Sequence, residues 1–108
     1  MPQFGWVGFD LDGTLAQYHG WQGGEHIGEP IPSMVEELLR WLHDGYEVRI
    51  MTARACEPEQ IPFVKEWCKK HLGFVPEVTN KKDYGMIRLY DDRAVAVESN
   101  TGRTLGFP

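Results

Sequence analysis

The chain is poor in cysteine, has no long apolar run and carries no surplus of basic charge, and each shortage removes a class of protein. Its two cysteines, Cys56 and Cys68, stand outside any CxxC or metal-ligand spacing, so a disulfide framework or a zinc site is not expected and both read as reduced thiols. No stretch approaches the roughly 18 apolar residues that a membrane-spanning helix needs. Lysine and arginine number 11 against 16 aspartates and glutamates, a formal net charge of −5, which argues against the broad basic face of a nucleic-acid groove without excluding a terminal phosphate. Met1-Pro2-Gln3-Phe4 lacks the basic region and apolar stretch of an export signal, so the expected location is the cytoplasm.

What is present suits one compact unit. The 108 residues fit a single domain, and 42% hydrophobic with 25% charged residues is ordinary globular composition. "FGWVGFD" (4–10) is a nearly continuous apolar run ending in a carboxylate, the pattern of a strand covered on both faces. The glycine- and proline-rich segment 13–32 has no sustained period and reads as a flap of turns with room for a small hairpin. Ser33 and Glu36 have capping-box spacing and predict a helix from Ser33, with Met34, Val35, Leu38, Leu39 and Leu42 as its apolar face and Gly45 as its stop. "EVRIMT" (47–52) reads as a second strand. Pro58 to Leu72 reads as a second helix, with Ile61, Val64, Cys68 and Leu72 inward and Gly73 closing it. Short strands at 76–80 and 86–92 follow, and "AVAV" (94–97) and "TLGF" (104–107) suggest a hairpin with Gly102 in its turn. Alternating strands and helices predict an α/β fold, a Rossmann-like, mostly parallel sheet with helices on its faces.

In such sheets ligands bind beyond the carboxyl ends of the strands, near the point where strand order reverses. Polar residues fall at those ends: Asp10, then Thr52, Lys82, and Asp91 with Asp92. Two like charges at about 4 Å cost on the order of 4 kcal/mol at an effective dielectric of 20, so the carboxylates call for a counter-ion. A hard divalent cation such as Mg²⁺ meets that need, with Asp10 and Asp91 as ligands.

The motifs "DLDGTL" (10–15), "MTAR" (51–54), the lysine of "NKKDY" (80–84) and "YDD" (90–92) resemble those of the haloacid dehalogenase superfamily, in its phosphatase-type branch. The resemblance runs from the first strand to the fourth. It implies that Asp10 is the nucleophile forming an aspartyl-phosphate and that Asp12 is the acid and base for leaving group and water. It further implies Mg²⁺ held by Asp10, the carbonyl of Asp12, and Asp91, directly or through water with Asp92. Thr52 would bind a phosphoryl oxygen, and Lys82 would balance charge. Only a short stretch separates Lys82 from Asp91, where relatives commonly carry a helix, and Lys81 is a rival for the lysine position.

Arg54 is a candidate contact to the substrate phosphate or leaving group, whereas Arg93 reads as structural. His19 and His26 read as exposed flap residues, and Trp21 as either packing or a stacking surface. Neither the flap nor the stretch from Thr52 to Lys82 leaves room for a cap domain. An open site suggests either a large substrate, such as a phosphoprotein or a nucleic-acid end, or another subunit of the same chain serving as a lid; the partner expected is a phosphorylated substrate, small molecule or macromolecular end. Three functions compete. A Mg²⁺-dependent phosphatase is preferred, with phosphotransfer to another acceptor sharing its first step. A receiver domain orders the acidic pair first, whereas here it comes last. An idle phosphate-binding or Mg²⁺-binding module has no need of both Asp10 and Asp12.

Overall fold

A computed structural model describes residues 4–106. The expectations that touch Met1 to Gln3 and Phe107 lie outside the described residues. Strands β1 (Trp6–Phe9), β2 (Glu47–Met51), β3 (Glu77–Thr79) and β4 (Met86–Tyr90) form one sheet in the order β3-β2-β1-β4, and every pairing is parallel. From β1 the chain steps outward through β2 to β3, then returns to place β4 on the other side of β1. Strand order therefore reverses between β1 and β4, and the crevice at that reversal is where Asp10 and Asp91 emerge.

Helices α1 (Pro32–His43) and α2 (Ile61–Leu72) supply the crossovers β1-α1-β2 and β2-α2-β3. Both crossovers step the same way across the sheet, so right-handed connection places both helices on one face. The packing agrees: Leu38 of α1 and Val64, Trp67, Cys68 and Leu72 of α2 share one buried cluster with Val7, Phe9, Val48 and Ile50 of the sheet. The expected α/β fold with a mostly parallel sheet flanked by helices is present, with both α-helices of the described residues on this one face. The other face is covered by Trp6 instead. The indole is 1% exposed and lies so close over Gly8 that a Cβ there would stand 3.0 Å from the ring. The guanidinium of Arg49 sits 4.5 Å above the same ring, and the indole N–H donates to Asp83 at 2.7 Å. Asp83 belongs to the segment 80–85, which connects β3 to β4 without a helix, in keeping with the short spacing read from the sequence.

Local boundaries differ from the sequence pattern in instructive ways. Helix α1 begins at Pro32, with Ile31 as its extended N-cap and no side-chain cap, so the Ser33 and Glu36 capping box does not form. Proline's fixed φ and missing N–H suit the first helical position, which moves Ser33 inside the first turn. Leu39 and Leu42 are partly exposed, and Trp41 joins Leu38 on the packed side. Short 3-10 turns at Ala53–Cys56 and Pro58–Gln60 precede α2, which starts at Ile61. Gly45 and Gly73 take the left-handed conformation that ends each helix. In the flap, residues 17–29 carry no helix or strand, and isolated bridges join Ala16 to Asp12 and to Pro30. The predicted hairpin is present as β5 (Ala96–Val97) and β6 (Thr104–Leu105), antiparallel, with Gly102 at positive φ between them. No helix among the described residues is long and apolar enough to cross a membrane.

Candidate active site

The turn after β1 is built by its apolar residues. Leu11, Leu15 and Ala16 are fully buried, which folds the chain back into the core and leaves Asp10 and Asp12 on the side facing the crevice. The Asp10 N–H donates to the Tyr90 carbonyl at 2.9 Å, fixing the end of β1 to the end of β4. The Phe9 and Tyr90 rings stack below it at 4.5 Å, and Tyr90 is held in turn by the Trp41 indole N–H at 2.9 Å. Gly13 turns the corner at φ +89°, and a Cβ there would lie 2.5 Å from a carboxylate oxygen of Asp92. Only glycine admits Asp92 so closely. The Thr14 hydroxyl donates to Asp92 Oδ1 at 3.2 Å and accepts the Asp92 N–H at 3.1 Å, which locks the two acidic motifs together.

Asp10, Asp91 and Asp92 each bring one carboxylate oxygen into a cluster whose atoms all lie within 4.8 Å of one another. Burial pushes the Asp10 carboxyl up from its ordinary 3.8 to about 7, aided by a hydrogen bond with Asp92 and the charge of Asp91. Every donor in the cluster is a carboxylate oxygen, the chemistry that hard divalent cations take. Asp12 stands apart from the cluster. Its oxygens accept from Arg54 Nε at 2.8 Å and Nη2 at 3.0 Å, a bidentate pair.

Arg54 is 6% exposed, unusual for an arginine, and it does more than pair with Asp12. Its Nη1 donates to the Gly24 carbonyl at 2.8 Å and its Nη2 to the His26 carbonyl at 3.0 Å, while its guanidinium lies 4.9 Å from the Trp21 ring. One side chain thus ties the flap to the acidic turn. A second tie runs from the Trp67 indole N–H to the Gly28 carbonyl at 2.9 Å. Thr52 is 3% exposed at the end of β2, and its hydroxyl oxygen accepts the Arg54 N–H at 3.2 Å, starting the following 3-10 turn. Among the described residues its own proton has no acceptor.

A cavity of about 830 Å³ gathers these groups: Asp10, Asp12, Thr52, Arg54, Asp91 and Asp92 all line it. The two lysines do not. Lys81 and Lys82 are exposed on the segment after β3, and of that motif Asn80 reaches the cavity wall. Arg93, read from sequence as structural, lines the cavity, as do Tyr18, Trp21 and Gln60. Arg93 follows an acidic strand end, so its position was available to sequence reasoning; Tyr18 and Gln60 carry no motif that would have singled them out. His19 and His26 are exposed, as expected. Cys56 is exposed at the cavity, where its sulfur accepts from Asn80 Nδ2 at 3.1 Å, and Cys68 is buried with its thiol pushed up to about 12 by burial alone.

No protein-family model and no curated protein matches the chain. Its fold is shared with a solved structure of a conserved protein from Bacteroides thetaiotaomicron, at a TM-score of 0.65 and 24% identity, over 86% of this chain and 79% of that one. That likeness concerns the fold alone.

Proposed function

We propose that the protein is a capless, Mg²⁺-dependent phosphomonoester hydrolase of haloacid-dehalogenase type, acting in the cytoplasm through an aspartyl-phosphate on Asp10. One observation carries the reading: acidic motifs from opposite ends of the chain meet in one carboxylate cluster at the strand-order reversal, on a cavity that also holds Thr52 and Arg54. Asp10, Asp91 and Asp92 would hold Mg²⁺, since their oxygens are of the kind the ion prefers and their mutual repulsion asks for a cation. Bound there, Mg²⁺ would neutralise charge so that an anionic nucleophile and an anionic ester can meet.

The chain's own groups then divide the work. An oxygen of Asp10 attacks phosphorus; the new P–O bond forms as the bond to the leaving oxygen breaks, and Asp12 gives that oxygen a proton. Water next attacks the phosphoryl group, Asp12 takes its proton, and the aspartyl P–O bond breaks to release phosphate. Both oxygens of Asp12 accept from Arg54, and each keeps a second lone pair, so a proton on Asp12 removes its charge and weakens Arg54's hold there. Phosphoryl oxygens are alternative acceptors for that donor. Thr52, with its hydroxyl proton free, donates to the same group.

The bidentate pair also favours a second reading, a phosphate-binding module in which Asp12 is a structural anchor for Arg54. Phosphate release from a panel of phosphomonoesters, with and without Mg²⁺, separates the two. Metal-dependent turnover that Asp10→Asn abolishes supports the hydrolase. Tight binding of inorganic phosphate without turnover of any ester supports the module.

A further inference from the structure

Trp21 is 56% exposed although it sits beside a buried arginine in a loop fastened at two places. One face of its indole is taken by the Arg54 guanidinium at 4.9 Å, and the residue lines the cavity that holds the carboxylates. Tyr18, 40% exposed, lines the same cavity from the same flap. A cation on one face draws electron density from the ring, which disfavours a second cation on the other face and favours a neutral planar ring stacked there. Gln60 lines this cavity too. Its Oε1 is the one buried side-chain nitrogen or oxygen among the described residues with no hydrogen-bond partner, while its Nε2 is spent on Glu57 at 2.7 Å. In this structure the oxygen is enclosed against Gly24, and a turn of the Gln60 amide toward the cavity would set it beside the Glu57 carboxylate as an acceptor for N–H donors.

We propose that the cavity selects phosphate monoesters whose leaving group carries a planar nitrogen heterocycle with N–H donors, of nucleobase type, stacked on Trp21 with its edge toward Gln60 and Glu57. This rests on the hydrolase reading for the phosphate end and on the cavity wall for the ring end. Arg54 links the two ends, because it backs the stacking ring and also grips Asp12. Stacking of a base on an exposed aromatic is commonly worth about tenfold or more in affinity.

The test has two arms on the intact protein. In the first, kcat/KM is compared for nucleoside 5′-monophosphates, a simple aryl phosphate, and ring-free esters such as glycerol phosphate, with the native protein and with Trp21→Ala and Trp21→Phe. In the second, the Asp10→Asn protein is titrated with a nucleoside monophosphate, the nucleoside alone and ribose 5-phosphate, following tryptophan fluorescence and heat. The expected result is a preference of about tenfold or more for the nucleoside monophosphates over ring-free esters. That ratio collapses in Trp21→Ala, is largely kept in Trp21→Phe, and falls in Gln60→Leu for N–H-bearing rings only. A preference for the aryl phosphate equal to that for the nucleotides would remove the N–H part of the proposal. Turnover of ring-free esters as fast as the nucleotides would overturn the proposal and leave the hydrolase standing. Trp21-dependent binding of nucleosides with no turnover of any ester would do the reverse.

Discussion

Both carboxylate oxygens of Asp12 accept from the single guanidinium of Arg54, at 2.8 and 3.0 Å, and the same guanidinium holds the Gly24 and His26 carbonyls of the flap. Removing it strands a carboxylate and two carbonyls together. Arg54→Ala is expected to cost about 3 kcal/mol in urea unfolding, in the range for breaking a buried pair from one side. Amide exchange across 20–29 should accelerate in parallel. Arg54→Lys keeps the charge and loses the planar fork, so it should recover only part of the stability. A stability change within about 0.5 kcal/mol, the usual range for a surface substitution, together with unaltered exchange would show that the flap is held otherwise.

Asp10 makes stability fall as pH rises. Its carboxyl titrates near 7 in the folded chain against an ordinary 3.8, so between those values the folded state holds a proton that the unfolded state has lost. The strain is absent below about pH 4, grows through the interval and is complete above about pH 7. Because the group is partly in contact with solvent, the expected penalty is on the order of 2 kcal/mol rather than the full converted shift. Asp10→Asn should therefore raise the melting temperature at pH 8 in the absence of divalent ions and leave it nearly unchanged at pH 4. Mg²⁺ should raise the melting temperature of the native protein at pH 8 and do much less for Asp10→Asn. A larger gain at pH 4 than at pH 8 would contradict the assignment.

Gly13 is where the fold makes room for the acidic pair. At φ +89°, and with Asp92 so near, an alanine is strained twice, by its backbone and by its methyl group. Gly13→Ala should lower stability by about 1–3 kcal/mol. It should also displace Asp92 and weaken divalent binding, measured by calorimetry, about tenfold or more, the usual effect of losing a group that orients a ligand. Ordinary Mg²⁺ affinity in a destabilised variant would mean that Asp92 is not needed at the metal.

The elements were legible in sequence because each has a local signal, and the ties between them were not. Gly45 and Gly73 announced both helix ends, and the apolar runs into Asp10 and Asp91 announced β1 and β4. The capping box at Ser33 misled because Pro32 competes for the same helix start and wins. The covering of the second sheet face rests on Trp6 reaching Asp83 and Arg49, residues far apart in the chain whose types alone suggest nothing. Arg54 was recognisable as a candidate from its place after Thr52, and it does line the cavity, yet its grip on Asp12 and on two flap carbonyls depends on a loop with no periodicity. Motif spacing locates strand ends; it does not say which side chains clasp across them.

The positive charge of the site offers the last contrast. The resemblance assigns it to Lys82, while the cavity is lined by Arg54 and Arg93, and Lys82 is exposed outside the lining. Arg54 is already committed to Asp12, which leaves Arg93 as the lining cation free of a salt bridge among the described residues. Its backbone N–H donates to Asp91 Oδ1 at 2.8 Å, so the residue is anchored beside the acidic cluster while its side chain is exposed. An exposed cation lining the cavity should draw in a phosphate dianion, an effect that salt screens over about 10 Å at 0.1 M. Arg93→Ala should therefore raise KM for a phosphomonoester several-fold, more at low salt than at high, with kcat less affected. Lys82→Ala should change KM less. If Lys82→Ala instead abolishes turnover while Arg93→Ala is silent, the segment 80–85 must bring Lys82 onto the phosphate when substrate binds, and the short β3–β4 connection becomes a working part of the site.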